Sequence, residues 1–168
     1  MRLGDYISVK TGKLDANASS ENGKYPFFTC SKETLKIDNF AFDCECVLLA
    51  GNGELNAKYY DGKFNAYQRT YIIESNNKNI LSTKYIYYFL KWYLIYLRHQ
   101  AIGGVIKYIK LNNITEVNLN IPSIKRQNEI IFEIAQLEKL INYNEKQSNL
   151  LNELIKSRFV KQEVITCV

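Results

Sequence analysis

The C-terminal stretch QNEIIFEIAQLEKLINYNEKQSNLLNELIKSRF, residues 127–159, contains neither Gly nor Pro. Its residues form a regular series with alternating steps of four and three, apolar except for Asn144 and Ser148 near the middle. The series predicts a helix seam made of Ile130, Ile134, Leu137, Ile141, Asn144, Ser148, Leu151 and Ile155. A helix of about 32 residues would be about 48 Å long, too long to pack along a domain of ordinary size. The stretch therefore predicts one long helix that needs a partner.

A second copy of the chain is the partner that this helix predicts, in a dimeric coiled coil. Polar residues within an apolar seam fix the register and orientation of a coiled coil at some cost in stability, and Asn144 and Ser148 suit that role. A second apolar set widens the stripe and consists of Ile131, Leu140, Leu150 and Leu154. The wider stripe leaves two alternatives open, a helical bundle and a long helix folded back on the body of the protein.

Residues 1–121 differ from this helix, because short apolar or aromatic runs alternate there with turn residues. Cys46–Ala50 is a continuous apolar run that ends at Gly51-Asn52-Gly53, which is typical of a buried strand entering a tight loop. Asp61-Gly62 is a signal for a β-hairpin turn, and Ser82-Thr83 is expected to begin an amphipathic helix. Strands are also expected at Tyr67–Ile73, Val105–Ile109 and Val117–Ile121.

The two parts together predict an α+β protein with two domains. Residues 1–121 are expected to form a mixed, mainly antiparallel β domain with a few helices, and residues 122–168 the long helix. The apolar fraction of 46% and the charged fraction of 23% are those of a folded protein. The longest apolar stretch, Tyr85–Leu97, is interrupted by Lys91 and is too short to span a bilayer. The N-terminus has no run that resembles a signal peptide, so we expect a soluble, cytoplasmic protein.

The sequence holds few residues that are typical of catalysis. It has no phosphate-binding loop of the GxxxxGK[ST] type, and the single histidine, His99, cannot supply both a catalytic triad and a metal site. The four cysteines form no CxxC pair, and Cys44 and Cys46 are expected to be reduced and to point into a core from one strand. Asp43 and Glu45 are the basis of an alternative, a metal-dependent nuclease, but paired carboxylates are common on solvated strands. We therefore predict no enzyme and no metal site.

Basic residues interleaved with aromatic and amide residues occur near the predicted turns and strand ends. Residues 1–121 hold 15 Lys and Arg against 11 Asp and Glu, so +4 of the net charge of +5 lies in this domain. Lys and Arg bind phosphates, while Arg, Asn and Gln carry the paired hydrogen-bonding groups that read base edges. The pattern permits nucleic-acid binding, although a Tyr-rich strand face is also typical of a core or of an ordinary surface.

Short motifs, taken in their order and spacing, resemble one family over nearly the whole chain. They are Leu3-Gly4-Asp5, Tyr25-Pro26, Gly51-Asn52-Gly53, Ala66–Arg69, Lys84–Leu90, Gly103-Gly104, Leu111–Leu119 and Ile121–Ile130. In these motifs the chain is similar to the specificity subunits of type I restriction–modification systems. Pro122-Ser123 and Arg126-Gln127 stand where that family usually has a double proline and Glu-Gln. A second difference is that this chain has one domain and one helix, whereas the usual subunit has two of each in tandem.

The resemblance implies a target recognition domain over residues 1–121 and a helix for dimerisation and methyltransferase docking over residues 122–168. The implied partners are double-stranded DNA, the methyltransferase (modification) subunits and the motor/nuclease (restriction) subunit. No cofactor is expected on this chain, because S-adenosylmethionine, ATP and Mg²⁺ would belong to those partner subunits. Two copies related by a two-fold axis must read identical half-sites in inverted orientation. A homodimer would therefore recognise a palindromic, interrupted site.

The residues expected to contact DNA are basic, aromatic or amide side chains from the interleaved segments. They are Lys58, Tyr59, Lys63, Gln68, Arg69, Lys107, Tyr108 and Lys110. Gly51 and Gly53 would permit either a close backbone approach to the duplex or a tight loop beside it. The alternative function is a protein–protein adaptor or truncated specificity protein that binds methyltransferase subunits through its helix without reading DNA.

Overall fold

The computed structural model describes the backbone of residues 1–165 and the side chains of residues 1–159. The strands are β1 (Ile7–Thr11), β2 (Tyr25–Phe28), β3 (Leu35–Ile37), β4 (Phe42–Ala50), β5 (Ala57–Ala66) and β6 (Thr70–Ser75). The helices are α1 (Thr83–Gln100), the single turn α2 (Asn112–Thr115) and α3 (Ile124–Ile165), with short 3-10 turns at Leu3–Asp5 and Ala16–Ala18. The chain divides into two compact units, of which the first is Met1–Asn128 and the second begins at Glu129.

The six strands form one sheet in the order β1-β6-β4-β5-β2-β3. Every strand pair in it is antiparallel except β2 with β5, which are parallel and place Phe27 opposite Asn65. The predicted α+β class, with a mixed and mainly antiparallel sheet, few helices and a long C-terminal helix, is confirmed.

Strand β4 separates two apolar clusters, because alternate residues of a strand point to opposite faces. Val47 and Leu49 belong to the cluster that packs under α1, which contributes its buried stripe Ile86, Leu90, Leu94 and Leu97. Cys46 and Leu48 belong to the cluster on the other face. The predicted orientation of Cys44 and Cys46 is confirmed, since Cys46 is fully buried in that second cluster and Cys44 packs against it. Helix α1 begins at Thr83, directly after its N-cap Ser82, as the sequence predicts.

The predicted hairpin at Asp61-Gly62 is wrong, because β5 continues through these residues and pairs with β4 from Ala57 to Phe64. The continued strand keeps Phe64 fully buried, with ring centroids 5.3 Å from Phe42 and 5.6 Å from Phe28. Gly62 has a φ of +129°, a conformation that side chains other than hydrogen rarely adopt. The pairing of β5 with β4 and the packing of Phe64 therefore override the local turn signal. Gly62 instead allows a positive φ inside the strand.

Both ends of β5 lie beside the end of β2 and the residues just after it, so β5 curls along its length. At its beginning, Asn56 Nδ2 donates a hydrogen bond of 2.8 Å to the Cys30 carbonyl oxygen. Just beyond its end, Tyr67 N and Thr70 Oγ1 donate to the Phe28 carbonyl oxygen at 2.9 and 3.3 Å. The curl brings the turn after β5 close to the loop before it.

Three predicted strands differ from the structure. Tyr67–Arg69 form a turn and β6 begins only at Thr70, while Val105–Ile109 form a loop with isolated bridges at Tyr108. Val117–Ile121 contains a single bridge, Arg2 with Asn118, and the Leu3 amide donates to the Val117 carbonyl at 2.8 Å. Runs of β-branched and apolar residues form strands only where a neighbouring strand is available for pairing. In these segments the neighbour is a loop or the N-terminus instead.

The start of α3 is fixed by the side chain of Gln127, which is fully buried. Its Oε1 accepts a hydrogen bond of 2.9 Å from the Ser82 amide, and its Nε2 donates to the carbonyls of Ile80 and Pro122 at 2.7 and 2.9 Å. The predicted long helix is confirmed and begins three residues earlier than expected, at Ile124. Within the described residues, none of the helices has the length and apolar character needed to cross a membrane.

Candidate nucleic-acid interface

Three loops meet at Gly51, at the end of β4. The Gly51 amide donates to the Arg69 carbonyl at 2.8 Å, and the Gly51 carbonyl accepts from the Ile109 amide at 2.9 Å. Two residues further on, the Gly53 amide donates to the Lys107 carbonyl at 2.9 Å. Backbone hydrogen bonds therefore join the loop after β4, the turn between β5 and β6, and the loop after α1.

Two glycines hold the turn between β5 and β6 from either side. A Cβ added to Gly51 would lie 2.5 Å from the Arg69 carbonyl oxygen, and one added to Gly12 would collide with the backbone of Ala66 and Tyr67. Gly51 thus forms a tight loop, one of the two roles that the sequence left open for it. Gly53, with a φ of +65°, has open space around its Cβ position.

A recess of about 270 Å³ opens beside this junction. Three of the residues predicted to contact DNA line it together, namely Gln68, Arg69 and Tyr108. The other lining residues are Thr11, Gly51, Tyr71 and Ile109. In the loop after α1, Lys107 and Lys110 lie on either side of the lining residues Tyr108 and Ile109, and both lysines are exposed. Five of the eight predicted residues thus lie at or beside one recess.

Arg69 gives the lining of the recess a positive charge, and Asp15, which Gln68 contacts, is a carboxylate beside it. Arg69, Lys107 and Lys13 are exposed, and among residues 1–159 none of the three forms a salt bridge. Burial raises the pKa of Tyr71, while the positive charge of Arg69 opposes that rise. Gln68 donates through Nε2 to Asp15 Oδ1 at 2.8 Å, so its Oε1 and second amide hydrogen stay available for a ligand. The arrangement offers a guanidinium, an amide and two ammonium groups to a ligand with many acceptors.

The remaining predicted residues lie on β5 and already make contacts within the protein. Lys58 Nζ donates to the carbonyls of Ser31 and Glu33 at 2.8 and 3.1 Å, and burial lowers its pKa. Tyr59 donates its hydroxyl hydrogen to Glu45 Oε1 at 2.8 Å. Lys63 Nζ lies 4.8 Å from the centroid of the Phe40 ring, and its side chain is exposed. The structure therefore does not bring these three residues to the recess.

Sequence reasoning missed Thr11, Lys13 and Tyr71. Thr11 and Tyr71 are opposite each other in the β1–β6 ladder, so both reach the end of the sheet at which Arg69 lies. Lys13 follows Gly12, whose amide donates to the Thr70 carbonyl at 3.3 Å. A signal for these residues was the position of the segment Lys10–Lys13 at the end of a strand. The sequence could not show that this segment lies near Arg69, because β1 pairs with the distant strand β6 and such pairing has no local signature.

No cluster of three or more His, Cys, Asp or Glu suitable for a metal occurs in the part of the chain that the structure describes.

The predicted seam of α3 is largely exposed. Leu137, Ile141, Leu151 and Ile155 are exposed apolar residues of the seam, and Asn144 and Ser148 are exposed between them. Ile130 and Ile134, at the beginning of the seam, are half-buried. Exposed apolar residues at regular helical spacing are typical of a surface that binds a partner.

The family model described as the type I restriction modification DNA specificity domain matches residues 1–153. The chain is 38% identical over 166 residues to the EcoDI type I restriction enzyme specificity subunit of Escherichia coli, with 99% of this chain and 36% of that subunit covered. It is 25% identical over 173 residues to the MjaVIII specificity subunit of Methanocaldococcus jannaschii, with 96% and 40% covered. The chain thus spans well under half the length of these relatives.

Solved structures share the fold. The type I restriction–modification S subunit from M. genitalium superposes with a TM-score of 0.71 at 19% identity, covering 83% of this chain and 38% of that one. The HsdS subunit from Thermoanaerobacter tengcongensis superposes with a TM-score of 0.63 at 12% identity, covering 84% and 37%.

Proposed function

The chain belongs to the type I restriction–modification DNA specificity family, and we propose that it reads one half of a bipartite DNA site. In this proposal it has no catalytic activity of its own and directs methyltransferase and restriction subunits to the site. S-adenosylmethionine, ATP and Mg²⁺ are cofactors of those partners, and this chain binds none of them.

The observation that carries the proposal is the cluster at the Gly51 recess. An arginine side chain can make two hydrogen bonds to the edge of a guanine, and a glutamine side chain can make two to an adenine. Arg69 and Gln68 line the recess together with Tyr108. Exposed Lys107 and Lys13 are suited to the flanking phosphates. Backbone contacts to two glycines hold the turn that carries Gln68 and Arg69, so the backbone of this turn is in place before DNA binds.

We further propose that α3 pairs with α3 of a second copy, so that two recognition domains read a palindromic, interrupted site. The support is the exposed seam around Leu137 and Ile141, with the polar pair Asn144 and Ser148 at its middle. A polar pair at the centre of a symmetric seam specifies register, and a two-fold axis makes the half-sites inverted copies.

Salt-dependent DNA binding tests the recognition function. Fluorescence anisotropy with a labelled duplex selected by the protein from a random pool should give tight binding that weakens steeply from 50 to 200 mM salt. A variant with Arg69→Gln and Lys107→Gln should bind more weakly and show a shallower salt slope. Lys24→Gln with Lys36→Gln removes two positive charges at exposed positions on other segments, and is the matched control.

The exposed seam also favours a second candidate, an adaptor that binds methyltransferase subunits without reading DNA. Such an adaptor would bind little DNA at any salt concentration and would select no sequence from the pool. A sequence-selective, salt-sensitive complex contradicts the adaptor, and its absence contradicts the DNA reader.

A further inference from the structure

The loop after α1 forms a small closed projection beside the recess. Ile102 and Tyr108 exchange two backbone hydrogen bonds, of 3.0 and 2.8 Å, which close the loop at its base. Gly103 has a φ of +123°, and a Cβ there would lie 2.6 Å from the Ile106 carbonyl oxygen. The shape of this loop, which we call the tip loop (residues 102–108), is therefore set by its backbone.

The end of the tip loop is apolar and exposed. Val105 is fully exposed, with a relative exposure of 104%, and Ile106 is 62% exposed. Single exposed apolar residues call for no explanation, but two adjacent β-branched residues at the end of a closed loop are uncommon, because loop ends are usually polar. Val105 and Ile106 thus present a stiff apolar surface to whatever binds at the end of this loop.

The surroundings of the tip loop favour DNA as the ligand that Val105 and Ile106 contact. Its base is bonded to Gly51 and Gly53, and Tyr108 lines the same recess as Arg69. Lys107 lies within the loop and Lys110 follows it, both exposed. The nearest acidic side chain on the loop after β4 is Glu54, whose charge is paired with Lys32 at 2.6 Å. An apolar end followed by two exposed lysines matches a polyanion that also carries apolar groups.

We propose that Val105 and Ile106 contact the C5-methyl group of thymine in the major groove and so specify at least one A·T pair of the target. This inference rests on the proposed DNA-reading function. The thymine methyl is the apolar group that DNA presents on base edges, and it lies in the major groove. That groove is about 12 Å wide, enough for an α-helix, and so has room for the tip loop, whereas the minor groove is about 6 Å wide.

Uracil differs from thymine only by this methyl group, so uracil substitution in the DNA tests the contact directly. Duplexes that the wild-type protein selects from a random pool are remade with uracil in place of thymine, one position at a time. Loss of one buried methyl contact should weaken binding about four- to tenfold at one or two positions and leave the others unchanged. A wild-type protein that binds its selected duplex but tolerates uracil at every position overturns the inference and leaves the proposed function intact.

A variant with Val105→Ser and Ile106→Ser provides the protein side of the test. Because both side chains are exposed, thermal unfolding should match the wild type, and the variant should bind the thymine and uracil duplexes equally. Lys107→Gln is the matched control in the same loop, and it should weaken both duplexes by the same factor. If the serine variant keeps the thymine preference, the inference is wrong. If the wild-type protein selects no sequence at all, both the inference and the proposed function fail.

Discussion

The amide of Gly51 donates a hydrogen bond of 2.8 Å to the carbonyl oxygen of Arg69, and no side chain fits between them. This contact joins the end of β4, deep in the sheet, to the turn that carries the candidate base-reading arginine. Two further backbone bonds from Gly51 and Gly53 reach Ile109 and Lys107. A change at one small buried residue should therefore move several candidate DNA-contacting groups together.

We predict that Gly51→Ala destabilises the domain by about 1–3 kcal/mol, because the new Cβ would overlap the Arg69 carbonyl. DNA affinity should fall by more than the loss of folded protein explains, since the Arg69 turn must shift. Urea unfolding and DNA titration of the same sample measure the two effects. Gly104→Ala is the control, because its Cβ position is open, and a similar loss of stability there would contradict the steric explanation.

Arg69 itself should contribute to specificity. If its guanidinium makes two hydrogen bonds to a guanine, Arg69→Ala should cost about 1–3 kcal/mol and relax the preference at one base pair. Arg69→Lys keeps the charge but loses the fork geometry, so it should relax the same base pair while keeping most of the affinity for unrelated sequences. Binding to a set of single-base variants of the selected duplex separates these cases. An equal loss on every sequence would make Arg69 a phosphate contact.

How far local sequence determines this fold is shown by α1 and by β5. The apolar face of α1 is predicted by spacing, because helical periodicity is a local property; the predicted residues are Ile86, Phe89, Leu90, Tyr93, Leu94 and Leu97. All of them are buried except Phe89 and Tyr93, which are half-buried. The Asp61-Gly62 signal is also local, yet β5 runs through it. The pairing with β4 and the packing of Phe64 involve residues about 20 positions away, and no short window contains them.

The candidate site divides in the same way. Composition and turn signals identify Gln68, Arg69 and Tyr108, which the fold does bring together. The same composition on β5 also selects Lys58 and Tyr59, whose polar atoms bind neighbouring residues of the protein. Residue type and proximity to a turn cannot distinguish these two groups, because the difference depends on which strand end meets which loop.

Gln127 should be important for stability because of its buried hydrogen bonds. Removing its three buried hydrogen bonds in Gln127→Ala leaves the Ser82 amide and two carbonyls without partners, and we expect a loss of about 2–4 kcal/mol. Gln127→Glu keeps the shape and the acceptor but places a carboxylate against the carbonyls of Ile80 and Pro122. Its pKa should therefore be raised in the folded state, so this variant should gain stability as the pH falls from 7 towards the unfolded-state pKa of about 4.3.

Urea titrations of the two variants at pH 7 and pH 5 measure this difference. Gln127→Ala has no titrating group at this position, so its deficit relative to the wild type should be the same at both pH values. A deficit of Gln127→Glu that does not shrink at pH 5 would contradict the buried environment of this side chain.

Tyr59 should act on stability through Glu45. Burial opposes ionisation of Glu45, but hydrogen bonds from Lys78 and Tyr59 hold its pKa below the usual value. A carboxyl with a lowered folded-state pKa contributes stability above its unfolded pKa of about 4.3, and loses it as the pH falls through the folded value. Tyr59→Phe should thus cost about 1 kcal/mol at pH 7 and less below pH 4. Urea unfolding midpoints of the wild type and of Tyr59→Phe, measured between pH 7 and pH 4, check this prediction. A loss of stability that is the same at every pH would contradict the link to Glu45.

The last prediction concerns the state of the chain in solution. If the exposed seam of α3 pairs two copies, light scattering should give a mass near twice 19.6 kDa. Leu137→Glu with Ile141→Glu places two charges in the seam of each helix and should return the mass to that of one chain, since buried like charges repel. Gln136→Glu with Asn142→Glu adds the same charge at neighbouring exposed positions outside the seam, and this variant should stay dimeric. A single-chain mass for the wild type contradicts pairing through α3, and with it the inverted repeat. A dimer that survives the seam substitutions would place the contact on another surface of the protein.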